Sequence, residues 1–311
     1  MENLSHITEP KHKRTILLIL PDAKIHKLSF RSFSRSMREA PLTLTMLSAL
    51  APEELDISFT LIDESIDTVP TTTSADMVGI SVLTGTSHRA YHWADHFRKQ
   101  GKTVVLGGVH VSILPDEAKE HADSILIGNG ESSWPQLLRD FYKEELKQRY
   151  ITENQGSKKS LSLPTPHREF QRNSGYMMPN TVMATRGCKG SCDFCTIPVV
   201  TESYLKRPIG DVIAEIKNIP GKYIAFNDVS LVDDTEYATE LFKALIPLRK
   251  KWGGLATTRL LKEPQLVDVM AKSGCKFLLV GFESFMQGAL NSINKGFNHH
   301  DQYRNFMSLM H

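Results

Sequence analysis

The sequence predicts an α/β protein in which a doubly wound parallel sheet is followed by an incomplete β/α barrel. In residues 1–145, short apolar runs alternate with segments of helical periodicity, which is the pattern of a parallel sheet covered on both faces. A polar stretch with little periodicity then predicts a linker over residues 146–180. The alternation resumes in residues 181–311, where we predict four more strands.

The composition limits the classes of protein to consider. Of the 311 residues, 23 % are charged and 41 % hydrophobic, with a net charge of +2, which suits one or two globular domains. No block of Lys and Arg is long enough for a nucleic-acid footprint, so we expect no nucleic-acid partner. The apolar run 16–20 is too short to cross a bilayer, so we expect no transmembrane segment and a cytoplasmic protein.

In the first domain, each predicted strand is an apolar run bounded by turn residues. The predicted strands are 14–21, 58–63, 77–82, 102–108 and 124–128. Apolar residues at helical spacing predict helices at 41–50, 86–99, 115–121 and 132–142. Residues 29–36 are polar and without periodicity, so we expect a loop there.

Glycine and small polar residues collect where three of these strands end. Ligands of doubly wound sheets bind beyond the carboxyl ends of the strands, and glycine permits a close approach of the backbone. The candidate residues at this edge are Ser81, Thr84, Gly107, Gly108, His110, Gly128, Gly130 and Glu131. Taken singly, each cluster is an ordinary turn signal, and the ordinary interpretation of His110 is a surface or loop histidine. Three clusters at one edge indicate a ligand site.

The second domain repeats the alternation. Its predicted strands are 181–185, 222–228, 255–259 and 276–283, and its predicted helices are 209–219, 235–250, 264–273 and 301–310. In β/α barrels the carboxyl ends of the strands carry the chemistry, and here they present Asn227, Asp228, Arg259 and Glu283. Such groups suit a zwitterionic ligand with hydroxyl groups, although polar loops follow barrel strands in any case.

Three of the four cysteines follow the first strand of this domain. Cys188, Cys192 and Cys195 have C-x3-C-x2-C spacing, so their thiolates can converge on one soft metal centre of the iron–sulfur type. Three ligands leave one iron of a 4Fe–4S cluster with an open position. A structural zinc site is the alternative, but it usually needs a second pair of cysteines, and Cys275 stands alone. The spacing favours the cluster.

This motif, with the aromatic Phe194 before its last cysteine, resembles the signature of the radical S-adenosylmethionine (SAM) superfamily. The resemblance implies a 4Fe–4S cluster whose open iron is chelated by SAM. It also implies reductive cleavage of SAM to a 5′-deoxyadenosyl radical, and an electron donor such as flavodoxin or ferredoxin as a partner.

Three shorter motifs extend the resemblance. Phe226-Asn-Asp228 resembles a Phe-x-Asp-Asp element that contacts the methionine amino group, and Gly281-Phe-Glu-Ser284 and Lys295-Gly296 resemble elements of the fourth strand and the segment after it. Because Asn227 replaces the commoner acid, Asp228 is the expected contact. The SAM-binding residues that the resemblance implies are Phe194, Asn227, Asp228, Arg259 and Glu283.

The first domain resembles the Rossmann-like cobalamin-binding domain that precedes the barrel in the cobalamin-dependent subgroup. Gly107-Gly-Val-His110 matches a Gly-Gly-x-His motif there, and Gly128-Asn-Gly-Glu131 departs from a Gly-Glu-Gly-Glu-like turn only at Asn129. The resemblance implies cobalamin as a cofactor. The Asp-x-His-x-x-Gly motif that supplies a cobalt ligand elsewhere is absent from the sequence, so no residue is assigned as the lower ligand.

The resemblance implies an enzyme that methylates an unactivated carbon of an unknown substrate, with methylcobalamin as the methyl donor. Ring formation and rearrangement are the alternatives within the subgroup. Radical SAM barrels typically have more strands than the four predicted here, so a truncated cofactor-binding remnant without catalysis is the alternative from another class. A zinc-stabilised scaffold ranks last.

Overall fold

The computed structural model describes residues 13–22, 27–30, 33–152, 160–201 and 203–310, which form two compact units. The first unit comprises residues 13–22, 43–152 and 166–171 of this set, and the second comprises 27–30, 33–42, 160–165, 172–201 and 203–310. The chain therefore passes between the units more than once. No helix in these residues is both long and apolar enough to cross a membrane.

The strands along the described chain are β1 (Arg14–Leu20), β2 (Lys27–Phe30), β3 (Phe33–Glu39), β4 (Ile57–Asp63), β5 (Met77–Ser81), β6 (Thr103–Gly107), β7 (Ser124–Ile127), β8 (Arg149–Ile151), β9 (Tyr176–Met178), β10 (Thr181–Val182), β11 (Thr185–Arg186), β12 (Leu205–Lys206), β13 (Tyr223–Phe226), β14 (Lys251–Ala256) and β15 (Cys275–Val280). The α-helices are α1 (Thr43–Ala49), α2 (Ser87–Lys99), α3 (Val109–Ile113), α4 (Pro115–Ala118), α5 (Gly130–Tyr142), α6 (Ile197–Val200), α7 (Ile209–Asn218), α8 (Thr235–Leu245), α9 (Pro264–Ser273), α10 (Gln287–Ser292) and α11 (Tyr303–Met310).

A six-stranded parallel sheet of order β4-β1-β5-β6-β7-β8 forms the centre of the first unit. The strands are buried on both faces because their side chains alternate between two cores. Leu17 and Ile19 of β1 belong to one core with α2, whereas Ile16 and Leu18 belong to the other with α1 and α5. The predicted doubly wound sheet is confirmed.

Strand β8 was not predicted, because it lies in the stretch that we took for a linker. Within β8 only Tyr150 is buried, and its hydroxyl group donates a hydrogen bond of 2.8 Å to the Asp140 carboxylate. An edge strand with one buried side chain shows no apolar run in the sequence. The stretch that we took for a linker therefore begins with a strand of the first sheet, and its residues 153–159 lie outside the described part of the chain.

The expected loop over residues 29–36 was also wrong at its described residues, because β2 and β3 pair antiparallel there and β3 also pairs in parallel with β9. Residues 31–32 of this prediction lie outside the described residues. Backbone hydrogen bonds hold this small sheet, and they require no alternation of apolar side chains. The polar sequence therefore carried no strand signal.

The second unit contains a four-stranded parallel sheet of order β10-β13-β14-β15. Its helix-covered face carries a core in which the Phe242 ring stacks on Trp252 at 4.7 Å and Phe226 meets the same indole edge-on at 5.5 Å. Strand alternation puts Tyr223, Phe277 and Leu279 on the other face, where they are 55 %, 63 % and 57 % exposed. We call this second face the open face of the sheet.

The first predicted barrel strand, residues 181–185, is divided. Strand β10 belongs to the parallel sheet, whereas β11 leaves it and pairs antiparallel with β12. The peptide N–H groups of Ala184 and Thr185 donate to the Asp228 carboxylate instead of to a neighbouring strand. The side chain of Asp228, which follows β13, therefore ends the first strand earlier than its apolar pattern predicted.

Candidate functional site

The predicted residues of the first unit meet at one edge of its sheet. Ser81 and Gly107 are the last residues of the neighbouring strands β5 and β6 and are paired with each other. Gly128 follows β7, the next strand of the sheet, and Thr84 is exposed on a 3-10 turn after β5. The three clusters lie beyond the carboxyl ends of adjacent strands, where doubly wound sheets bind ligands.

Glycine is required at position 108 by the fold itself. Its φ is +106°, and a Cβ atom there would lie 2.7 Å from the carbonyl oxygen and 2.8 Å from the nitrogen of Val82. Gly128 also has a positive φ of +86°. By contrast, a Cβ atom at Gly130 would make only an ordinary contact of 3.5 Å with Leu47, and Glu131 lies half-buried in the first turn of α5. Gly108 and Gly128 therefore adopt backbone conformations at this edge that other residues rarely adopt.

His110 is not a surface or loop histidine, and that interpretation was wrong. It lies on α3 and is 3 % exposed. Its Nδ1 atom is 3.3 Å from the Thr84 hydroxyl oxygen, and its Nε2 atom is 3.3 Å from Glu117 Oε1. Both ring nitrogens therefore have partners within the protein, and His110 supports the exposed turn that carries Thr84.

The three-cysteine loop runs from β11 to α6, and all three thiols are half-buried. At its start Gly187 has a φ of +89°, and a Cβ atom there would lie 2.7 Å from the Ser203 carbonyl oxygen. In its middle the Asn294 side-chain amide donates a hydrogen bond of 2.7 Å to the Ser191 carbonyl oxygen. These contacts connect the loop to its return segment and to the segment after α10.

Burial raises the pKa of the Cys188 and Cys192 thiols, while the nearby cations Arg259 and Lys295 act in the opposite direction. The Gly190 N–H group also donates to Cys188 Sγ at 3.2 Å. Among the described residues, no three His, Cys, Asp or Glu side chains already form a metal site. The donor set itself, three thiols on one loop beside two cations, suits a soft iron–sulfur centre.

Asn227 and Asp228 point to opposite faces of the sheet. Asn227 is exposed on the side of the open face, whereas Asp228 is 1 % exposed on the side of the helices. The Asp228 carboxylate accepts hydrogen bonds from Ala184 N at 3.0 Å and from the Thr185 hydroxyl group at 2.7 Å. Burial raises the pKa of Asp228 to about 7. Of the two residues, Asn227 is the accessible one.

Arg259 does not follow a strand directly, because β14 ends at Ala256 and a 3-10 turn spans Thr258–Lys262. Its guanidinium group lies 4.2 Å from the centre of the Phe297 ring and 3.5 Å from Asp233 Oδ1. These groups line a cleft of about 240 Å³. The sequence placed this strand at 255–259, too far along the chain. Its true start was missed because Gly253 and Gly254 interrupt the apolar run of β14, and glycine gives no strand signal.

The sequence did not single out Asp233, which connects this cleft to the cysteine loop. Its side chain is 1 % exposed, and its Oδ2 atom accepts a hydrogen bond of 2.8 Å from Lys189 N, next to Cys188. Its Oδ1 atom accepts no hydrogen bond, although it lines the cleft. The neighbouring Asp234 is the N-cap of α8, so the Asp-Asp pair looks in sequence like an ordinary helix start.

Glu283 and Lys295, from two separate motifs, form an ion pair of 2.6 Å. Glu283 has a φ of +63°, a left-handed conformation that is costly for a residue other than glycine and is often found at functional sites. The Lys295 ammonium group also lies 5.5 Å from the centre of the exposed Phe194 ring on the cysteine loop. Glu283 is thus connected to the cysteine loop through Lys295 and Arg259 through Asp233, whereas Asp228 binds Ala184 and Thr185 before the loop.

The chain is similar to a known cofactor-binding family and to known methyltransferases. The family described as the B12 binding domain matches residues 14–138. Bacteriochlorophyllide d C-12(1)-methyltransferase of Chlorobaculum tepidum is 31 % identical over 318 residues, which cover 97 % of this chain and 68 % of that protein. Bacteriochlorophyllide d C-8(2)-methyltransferase of the same organism is 31 % identical over 272 residues, covering 82 % of this chain and 60 % of that protein.

A solved structure of TsrM from Kitasatospora setae, a radical SAM methyltransferase with cobalamin and a [4Fe-4S] cluster bound, matches 96 % of this chain and 67 % of that chain. Its TM-score is 0.71 at 14 % sequence identity, so this likeness concerns the fold. The predicted fold class and the resemblance are both confirmed. The chain spans about two thirds of the length of these relatives. The chain is an enzyme of the cobalamin-binding subgroup of the radical SAM superfamily, and it belongs to the family that includes the bacteriochlorophyllide methyltransferases.

Proposed function

We propose that this chain cleaves SAM reductively with a 4Fe–4S cluster held by Cys188, Cys192 and Cys195 and methylates an unactivated carbon atom of its substrate. The observation that carries this proposal is the position of the three-thiol loop, beside the polar cleft of the second unit, in a chain that also contains a B12-binding domain. When bound, the cluster supplies the electron for SAM cleavage and cobalamin supplies the methyl group.

The residues around the loop suit a ligand with separated charges. Arg259 offers a planar pair of donors for a carboxylate, and Asp233 Oδ1 offers an acceptor for an ammonium group. Asn227 adds a neutral amide on the open face. We therefore infer that the methionine end of SAM is held by Asp233 and Arg259, and that Asn227 and the Glu283–Lys295 pair border the rest of the ligand.

This assignment predicts the effect of two substitutions on SAM cleavage. Because each removes a charged partner of the ligand, Asp233→Asn and Arg259→Ala are expected to lower formation of 5′-deoxyadenosine at limiting SAM by about tenfold or more. Anaerobic assay of that nucleoside by chromatography, with a chemical reductant, measures the effect.

Glu236→Gln, on the exposed side of α8, is the matched control and should cleave SAM like the wild type. Wild-type rates in both cleft variants would remove these residues from the SAM site. Absence of the nucleoside from wild-type protein with a full cluster would contradict the proposed reaction itself.

A planar, largely apolar ring is the substrate class that we propose. The open face presents Tyr223, Phe277 and Leu279 to solvent, and aromatic side chains bind conjugated rings well. The relatives from Chlorobaculum tepidum act on bacteriochlorophyllide d, and TsrM was solved with tryptophan as its substrate. Conjugated rings are common to both.

The substrate proposal predicts that bacteriochlorophyllide d binds and that Phe277→Glu weakens its binding by about tenfold or more, since the change removes aromatic contact and adds a charge. Titration followed by absorbance measures the dissociation constant. Ile246→Glu, at another exposed apolar residue, is the control and should bind like the wild type. Equal affinity of the wild type and Phe277→Glu for bacteriochlorophyllide d would show that the ring does not bind at the open face.

The reaction also requires one electron for each SAM that is cleaved. We propose a flavodoxin or ferredoxin as the donor and the reducing cytoplasm as the compartment, because iron–sulfur clusters with thiolate ligands persist under reducing conditions. The half-buried thiols and the exposed Phe194 ring leave the cysteine loop accessible to such a donor.

A further inference from the structure

The Asp228 carboxylate has a different set of partners from the one that the sequence resemblance implied. It accepts hydrogen bonds from Ala184 N at 3.0 Å, from the Thr185 hydroxyl group at 2.7 Å, and also from Thr185 N. All these donors belong to two consecutive residues, Ala184 just before β11 and Thr185 at its first position. The carboxylate therefore binds the backbone at the point where the chain leaves the parallel sheet.

Other buried groups hold the carbonyl groups of Met183 and Ala184 in the same segment. The Ala184 carbonyl oxygen accepts a hydrogen bond of 2.9 Å from Arg207 N and one of 3.1 Å from the Tyr237 hydroxyl group. The Arg207 side chain is 3 % exposed and donates 2.8 Å to the carbonyl oxygen of Met183 and 2.7 Å to Glu215. The backbone of residues 183–185 is thus enclosed by polar groups on both sides.

This enclosed segment is the base of the cysteine loop. Thr185 and Arg186 form β11, which pairs with β12, and the loop with the three cysteines extends between these two strands. Cys188 is only three residues beyond Thr185. A shift of Thr185 relative to β13 would therefore be transmitted to the thiols through a short and tightly held piece of backbone.

We propose that Asp228 is a positioning residue that holds the base of the cysteine loop against the parallel sheet, and that it does not contact SAM. This inference rests on the proposed function, since it concerns the loop that would hold the cluster. Asp228 acts from the helix-covered side of β13, while its neighbour Asn227 lies on the open face where a ligand can reach it.

Substitution of each of the adjacent residues Asn227 and Asp228 tests the proposal. Asp228→Ala should lower the iron and sulfide content after anaerobic reconstitution by about half or more and should broaden the electron paramagnetic resonance signal of the reduced cluster, since three hydrogen-bond donors at the loop base lose their acceptor. Asn227→Ala should keep the full iron content and the wild-type spectrum, but should bind SAM about tenfold more weakly. Isothermal titration of the reconstituted proteins with SAM gives the affinities.

Two milder variants separate positioning from misfolding. Asp228→Asn keeps an acceptor oxygen for the backbone donors and should recover part of the iron content, while Thr185→Val removes only the hydroxyl donor and should reduce it slightly. Cobalamin binding by the first unit and the far-ultraviolet circular dichroism spectrum should remain unchanged in both. If Asp228→Ala fails to fold, the iron content and spectra of these two variants decide the question.

Wild-type iron content and spectrum in Asp228→Ala together with a loss of SAM binding would overturn the proposal, because Asp228 would then be a SAM contact. Wild-type behaviour of Asp228→Ala, Asp228→Asn and Thr185→Val in every assay would overturn it as well. Failure of the wild-type protein to assemble a cluster would instead contradict the proposed function.

Discussion

Simultaneous replacement of Cys188, Cys192 and Cys195 by alanine is expected to abolish the iron–sulfur cluster completely. The wild-type protein, reconstituted without oxygen, should bind about four irons and four sulfides, because three thiolates on one loop match the ligands of a 4Fe–4S cluster with one open iron. Anaerobic assays of iron and acid-labile sulfide, with the visible absorption spectrum, measure the loss. SAM cleavage should disappear with the cluster.

Cys275→Ala is the matched control. Cys275 begins β15, away from the cysteine loop, and burial raises the pKa of its thiol to about 11, so it is a poor source of thiolate at neutral pH. This variant should keep the full iron content. Retention of the cluster by the triple variant would refute the ligand assignment, and loss of the cluster in Cys275→Ala would show that the ligand set is incomplete.

Gly108→Ala is expected to have the second largest effect, on cobalamin binding and on the stability of the first unit. An added Cβ atom would lie 2.7 Å from the Val82 carbonyl oxygen, and the φ of +106° is strained for any L-residue. The neighbouring strand ends must therefore move apart. We expect the midpoint of thermal unfolding to fall by about 5 °C or more, and cobalamin to bind at least about tenfold more weakly.

Gly85→Ala tests the same edge without this strain, because nothing lies within 4 Å of a Cβ atom at Gly85. This control variant should unfold at the wild-type temperature. Scanning calorimetry and titration with hydroxocobalamin, followed by absorbance, compare the two. Equal cobalamin affinity in Gly108→Ala and the wild type would mean that cobalamin does not depend on this edge.

The sequence was sufficient to predict the main sheets because buried parallel strands are continuous apolar runs. The run from Ile16 to Leu20 serves two cores at once, and no tertiary information was needed to identify it. The polar hairpin of β2 and β3 and the edge strand β8 were missed for the complementary reason. Their pairing depends on backbone groups that every residue carries, and these leave no pattern in the side chains.

The cysteine loop could be identified from sequence because its chemistry depends on residue type and local spacing, which the chain displays directly. Residue type and spacing could not show which of the carboxylates near the loop is available to a ligand. Asp228 and Asp233 are both acids close to the end of β13, and both carry nearly buried side chains. Which of them faces a ligand depends on the direction of each side chain and on the donors that other segments bring to it.

The sequence by itself thus predicted the fold class and singled out the three thiols, because periodicity and spacing are local properties, and its resemblance to known motifs indicated the two kinds of cofactor. Only the tertiary structure showed that the Asp228 carboxylate binds Ala184 and Thr185, that Asp233 Oδ1 lies 3.5 Å from the Arg259 guanidinium group, and that His110 is buried between Thr84 and Glu117. The physical reason is that hydrogen-bond partners of buried polar groups come from residues distant in sequence, and such groups must be satisfied wherever the fold places them.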